Sequence, residues 1–167
     1  MSTPYLRVVA IVFVIASLPA VRPAAAQASK RGINLDDLAK LKVVASPQVS
    51  PDGKWVAYTV GTIDAEKDKQ NTDVWMVSWD GTDQIRLTAT PDSSETLPRW
   101  SPDNRYLAFL SARGDEAQTK AGAQVWLLNR AGGEAQQVTE VKGGISDFAW
   151  SPDARRLVLV VNDPNPT

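Results

Sequence analysis

The 167-residue sequence has no histidine and no cysteine, and both absences narrow its chemistry. Without histidine there is no Ser-His-Asp triad, no Cys-His pair and no imidazole ligand for a metal. Without cysteine there is no disulfide, thiolate ligand or thiol nucleophile. An excess of charge of one sign is also lacking: 18 Lys and Arg face 19 Asp and Glu, for a net charge of −1. That balance gives no electrostatic footprint for nucleic acid. The remaining composition, 43% hydrophobic and 22% charged, is ordinary for a globular domain, and the length suits one. No catalytic residue, cofactor-binding residue or metal ligand is assigned from the sequence, and no cofactor is expected.

Residues 1–28 form a separate compositional block. Arg7 and the free amino group make a short basic start, and an apolar run follows from Val8 to Val21, broken by Ser17 and Pro19. Ala24-Ala25-Ala26-Gln27-Ala28 is then rich in small residues. This is the three-part pattern of a secretory signal peptide, with cleavage after Ala26 or Ala28. The run is shorter than the roughly 20 residues a spanning helix needs, and Pro19 interrupts a helix. An uncleaved anchor is the alternative. The sequence therefore predicts a periplasmic or secreted chain, touching a membrane only through its leader before cleavage. In an oxidising compartment its stability has to come from packing without disulfides.

The rest of the chain repeats. Ser50-Pro51-Asp52-Gly53 returns as Ser101-Pro102-Asp103-Asn104 and as Ser151-Pro152-Asp153-Ala154. In the same register Ala57 matches Ala108, Tyr58 matches Phe109, Trp75 matches Trp126, Gly81 matches Gly132 and Thr88 matches Thr139; Trp100 matches Trp150. β-Rich runs are expected at 55–60, 106–110 and 157–161, apolar enough to be buried on both faces. Second strands are expected at 74–78 and 125–128, third strands at 84–88 and 136–139, and short strands ending in Trp100 and Trp150. Ser-Pro-Asp-Gly suits a type I turn, and Asn104 tolerates the left-handed backbone that Gly53 supplies. Ala154 is a poorer substitute, so strain or a different turn is expected there. The polar stretches Gly61–Thr72 and Ser111–Gly122 are expected to be exposed loops.

Four short antiparallel strands per fifty residues make the blade of a β-propeller. The predicted fold class is all-β: an incomplete β-propeller of about two and a half four-stranded blades. Blade units are placed at 47–97 and 98–147, with the start of a third at 148–167. Residues 29–46 are expected to hold a short helix and lead-in. There Asn34 is the N-cap, Asp36 and Asp37 lie in the first turn, and Ile33, Leu38 and Leu41 pack on the blades.

The stretch from Leu35 to Pro166 resembles the N-terminal propeller of exported serine peptidases of the prolyl oligopeptidase family, in its acylaminoacyl-peptidase or dipeptidyl-peptidase branch. The resemblance is carried by Asp37-Leu38, by Pro47-Gln48-Val49-Ser50-Pro51-Asp52-Gly53-Lys54-Trp55-Val56-Ala57-Tyr58, and by Thr72-Asp73-Val74-Trp75. Pro98-Arg99-Trp100-Ser101-Pro102-Asp103, Gln124-Val125-Trp126-Leu127-Leu128 and Ala149-Trp150-Ser151-Pro152-Asp153 extend it. The Ser-Pro-Asp-Gly unit also occurs in TolB-like periplasmic propellers. The resemblance implies a lid that limits access to peptide-sized substrates, and a C-terminal α/β-hydrolase domain that carries the catalytic Ser, Asp and His. This sequence has no Gly-x-Ser-x-Gly elbow and no histidine, so no catalytic residue transfers to it. The implied partners are the missing hydrolase domain, further blades and peptide substrates, which makes the chain a portion truncated before the catalytic domain. A TolB-like protein-interaction module is the alternative.

Three groups of residues have two readings. Asp52, Asp103 and Asp153 are read as turn residues rather than as a metal or acid-base cluster, since each turn explains its own aspartate. Trp55, Trp75, Trp79, Trp100, Trp126 and Trp150 are read as blade packing rather than a sugar-stacking surface. Trp79 is the exception, because it precedes Asp80-Gly81 at a hairpin tip. The mixed-charge run 64–69 is read as a solvated loop, with partner docking as its alternative.

Overall fold

The computed structural model describes residues 32–163, apart from 39, 65 and 66. The leader expected over 1–28 lies outside the described residues. One short helix precedes the sheets, α1 (Leu35–Leu38). The first sheet holds β1 (Val43–Val49), β2 (Trp55–Asp64), β3 (Lys69–Ser78) and β4 (Gln84–Arg86), in that order. The second holds β5 (Glu95–Trp100), β6 (Tyr106–Ser111), β7 (Gln124–Asn129) and β8 (Gln136–Gln137), with α2 (Glu116–Ala121) between β6 and β7. The third pairs β9 (Ile145–Trp150) with β10 (Leu157–Val161). Every pairing is antiparallel. The first strand of each sheet approaches the sheet before it: β5 touches β1, β2 and β3, and β9 touches β5. The described residues are nearly all-β, and their sheets are successive blades.

The apolar runs are continuous because the middle blade is covered on both faces. Leu107 and Phe109 of β6 point toward the first blade, where they join Ala57, Val74 and Trp100. Ala108 and Leu110 point the other way and pack with Val125, Ile145 and Phe148. The pleat that alternates side chains along β6 thus assigns its residues to two cores in turn. In β10 the alternation continues, but Val158 and Val160 are exposed while Leu157 and Leu159 pack inward.

The three Ser-Pro-Asp turns share one hydrogen-bond pattern. Gly53 N–H, Asn104 N–H and Ala154 N–H donate to the carbonyls of Ser50, Ser101 and Ser151 at 2.8, 2.9 and 2.9 Å. The serine hydroxyl donates to the aspartate (2.6, 2.6 and 2.5 Å) and accepts the N–H five residues on. Ala154 keeps this turn at φ +57°, beside +67° at Gly53 and +62° at Asn104. A left-handed backbone costs a Cβ-bearing residue about 1–2 kcal/mol. Ala154→Gly should therefore raise stability by about 0.5–1 kcal/mol, after the extra chain entropy of glycine is subtracted. Urea denaturation checks this, and a loss of stability would contradict the strain. Ser78-Trp79-Asp80-Gly81 folds in the same way, Ser78 Oγ donating to Asp80 Oδ1 at 2.7 Å and accepting from Asp83 N–H at 2.9 Å.

Four features differ from the sequence expectation. First, Gly61–Thr72 is mostly strand: β2 and β3 continue their pairing as far as Asp64↔Lys69, because ladder bonds need only backbone. Second, Ser111–Gly122 contains α2, started by Asp115, whose carboxylate accepts Gln118 N–H while Gln118 reciprocates. Third, the outer strands are shorter than the expected 84–88 and 136–139: β4 ends at Arg86 and β8 at Gln137. Fourth, Asn34 does cap α1, accepting Asp37 N–H at 3.0 Å, but Ile33 (83% exposed), Leu38 and Leu41 do not pack on the blades. A single helical turn is too short to lay an apolar face against a sheet. Pro47 and Pro98 sit inside β1 and β5, where register shifts at bulges spare the missing N–H.

Candidate functional site

The seam between the first two blades gathers the polar side chains with unusual surroundings. The structure does not bring Asp52, Asp103 and Asp153 together; each stays in its own turn. Asp52 has a second role. Its Oδ2 accepts Asn104 Nδ2 and Arg130 Nη1, both from the second blade and both at 2.8 Å. The Ser50 hydroxyl, followed by Arg130, Lys54 N–H and Asn104, holds this carboxyl well below the usual range. Asp80, Asp103 and Asp153 are lowered too, each chiefly by its own serine. In these turns each serine hydroxyl gives its one proton to an aspartate and is not set up as a nucleophile.

The tryptophans divide by task. Trp100 Nε1–H donates to Gln48 O in β1 at 3.1 Å, and Trp150 Nε1–H to Arg99 O in β5 at 3.2 Å. Each ties its blade to the previous one. Trp126 donates within its blade to Ser111 O at 3.1 Å and lies under Arg113. Trp55 and Trp126 pack against the first core. Trp79 is 69% exposed at its hairpin tip. In the run 64–69, Lys67 lies 3.7 Å from Asp64, and Lys69 pairs with Asp92 at 3.6 Å.

One constellation has no motif in the sequence. Asp73 on β3 and Glu95 on β5 are both buried, and Asp73 Oδ1 and Glu95 Oε2 lack hydrogen-bond partners. Arg86 Nη2 donates to Asp73 Oδ2 at 2.8 Å. Thr88, Thr90 and Arg113, which flank the pair, also line a cavity of about 480 Å³ that includes Trp126, Glu134 and Ala135. Arg113 rests 3.9 Å over the Trp126 ring and donates to Ala135 O at 3.3 Å; burial lowers its proton affinity. Among the described residues no group of three or more Asp and Glu side chains is placed to hold a metal ion. Chemically the seam can bind and release a proton and hold two blades together. The one sequence clue to it is a charged residue at a repeat position that is otherwise apolar.

No family model matches the chain. Over 133 residues it is 35% identical to the uncharacterized peptidase YuxL of Bacillus subtilis, covering 80% of this chain and 19% of that protein. Over 116 residues it is 31% identical to dipeptidyl-peptidase 5 of Porphyromonas endodontalis, covering 68% and 16%. It is 27% identical over 108 residues to the Tol-Pal system protein TolB of Alcanivorax borkumensis, covering 64% and 24%. Among solved structures, an acylaminoacyl peptidase of Pyrococcus horikoshii superposes with a TM-score of 0.58 at 24% identity, over 73% of this chain and 17% of that one. The propeller domain of the Trilobed protease from Pyrococcus furiosus gives 0.56 at 23% identity, over 74% and 35%. The chain spans less than a fifth of either peptidase sequence it matches.

These blades are therefore those of an incomplete β-propeller. The sequence is similar to two peptidases over most of its length and the blades superpose on the propellers of peptidases, which is consistent with a propeller of a prolyl oligopeptidase-family peptidase.

Proposed function

We propose that the chain forms part of a propeller that gates peptide access to an α/β-hydrolase domain in an exported serine peptidase. The observation that carries this reading is the similarity to two peptidases, which extends over most of this chain and over a small share of theirs. The catalytic Ser, Asp and His would lie in the remaining length, since these 167 residues hold no histidine and no Gly-x-Ser-x-Gly. The leader pattern at 1–28 supports export to the periplasm or beyond.

The test uses the product of the complete reading frame and the 167-residue chain side by side. The complete product is expected to cleave short peptides and spare folded proteins, whereas the 167-residue chain cleaves neither. Equal cleavage of peptides and folded proteins would overturn gating. Hydrolysis that follows the pure 167-residue chain would overturn the placement of the catalytic groups. Residues 1–28 fused to a reporter active only outside the cytoplasm test export.

A TolB-like interaction module is the second reading, favoured by the similarity to TolB. The reading frame separates the two. A nucleophile elbow followed by Asp and His supports the peptidase, and further Ser-Pro-Asp units without a hydrolase domain support the module.

A further inference from the structure

Strand register places Glu95 where the other two sheets carry an apolar residue. Val44 pairs with Val60, Ile145 with Val161, and at the same level Glu95 pairs with Ser111. The carboxyl that replaces valine or isoleucine there is 0% exposed. Ser111 Oγ reaches its Oε1 at 3.4 Å, and its Oε2 has no partner. From the facing blade comes Asp73, whose Oδ1 is also unpartnered.

Neither nearby arginine donates a hydrogen bond to Glu95. Arg86 on β4 serves Asp73 Oδ2 at 2.8 Å and Thr88 O at 2.9 Å. Arg113, which follows β6, serves Ala135 O at 3.3 Å and Thr90 Oγ1 at 3.5 Å. The charges of Glu95 and, less strongly, Glu134 act on Arg113. One repeat later, Gln124 and Gln137 stand in the places of Asp73 and Arg86. There the amide of Gln124 is satisfied by Thr139 Oγ1 at 3.0 Å, Val141 N–H at 2.9 Å and Val141 O at 2.8 Å. Neutral groups thus complete that blade's version of the site, whereas in the first seam Asp73 Oδ1 and Glu95 Oε2 are each left without a hydrogen-bond partner.

We propose that Glu95 is a proton-held latch between the first two blades: its carboxyl is a neutral acid while the seam is closed, and its ionisation loosens the seam. A proton drawn from solvent supplies the donor that two carboxylates cannot provide for each other. Once ionised, the group is a buried charge beside Asp73 that Arg113 offsets only at a distance, without a direct ion pair. Burial raises the proton affinity of Glu95; the Thr88 and Thr90 hydroxyls and Arg113 oppose this, and Asp73 adds to it. A raised folded-state value means that the latch contributes fully below the ordinary glutamate pKa, about 4.3, and is lost as pH rises through the folded value.

The experiment follows the thermal midpoint of the full 167-residue chain from about pH 5 to about pH 9 for the wild type, Glu95→Gln and Glu95→Ile. The wild-type midpoint should fall toward alkaline pH, and both variants should reduce that slope by roughly half or more. An infrared carbonyl band of a protonated carboxyl should be present in the wild type at neutral pH and missing from Glu95→Gln. If either variant fails to fold, the other and the infrared band still decide. Slopes parallel to the wild type in the folded variants, or no protonated band, would overturn the proposal. Alkaline stability restored by sodium or calcium chloride in the wild type but not in Glu95→Gln would also overturn it, because a cation would then fill the seam.

Discussion

Trp100→Ala is expected to destabilise the chain by about 3–5 kcal/mol, the range for removing a buried large aromatic. Trp100 closes β5 at 8% exposure and packs with Ala57 and Val74 of the first blade and Leu107 and Phe109 of the second. Its indole N–H reaches across to Gln48 O, and Arg130 lies over its ring at 5.7 Å. One truncation therefore opens a cavity, orphans a carbonyl in β1 and loosens the arginine that meets Asp52. A domain with a stability of about 5–15 kcal/mol loses a large fraction of it in this way. Trp100→Phe separates the parts: it keeps most of the ring contact and drops the hydrogen bond, for about 1–2 kcal/mol with the smaller volume included. Trp79→Ala, at the exposed tip, should stay within about 0.5 kcal/mol. Equilibrium urea unfolding measures all three. A Trp100→Ala loss no larger than that of Trp79→Ala would mean that the blades do not depend on this contact.

The repeat was legible because its signals are local. Ser50, Ser101 and Ser151 each occur with the proline and aspartate of their own turn, and the strands after them are apolar runs that need no partner to be recognised. Two further local signals lie in the sequence. The capping box of Asp115 and Gln118 marks α2, and the matched Pro47 and Pro98 mark the bulges of β1 and β5. The polar ends of β2 and β3 hid their pairing, since polarity reports solvent exposure and not hydrogen bonding. The seam was illegible for another reason. Asp52 meets Arg130 across 78 residues, and Glu95 is buried by side chains of the blade before it. Such contacts depend on how one sheet lies on the next. Residue type alone places a glutamate outside. The same reasoning sent Ile33, Leu38 and Leu41 inward, and the brevity of α1 leaves them exposed.

Ser101→Ala should cost about 3 kcal/mol although it removes a single oxygen atom. Ser101 is 0% exposed, and its hydroxyl links two otherwise separate groups. It donates to Asp103 Oδ1 at 2.6 Å and accepts Tyr106 N–H at 2.9 Å. Alanine leaves that N–H without its acceptor at the entry to β6, the strand that feeds both cores. It also removes the principal group that lowers the Asp103 carboxyl. Ser151→Ala deletes the same atom in the same pattern, but in the third turn the serine is more exposed and water can replace it. Its loss should be about 1 kcal/mol or less. The pH dependence supplies an independent check. A depressed carboxyl contributes stability above its unfolded value, about 3.9, and loses that contribution as pH falls through the folded one. The difference between the wild type and Ser101→Ala should therefore shrink in acid, where both proteins carry Asp103 protonated, and approach the cost of the Tyr106 N–H alone. If the two serine variants lost equal stability, burial would not be what makes this turn matter. If the Ser101→Ala difference held constant into acid, the aspartate would have no share in it.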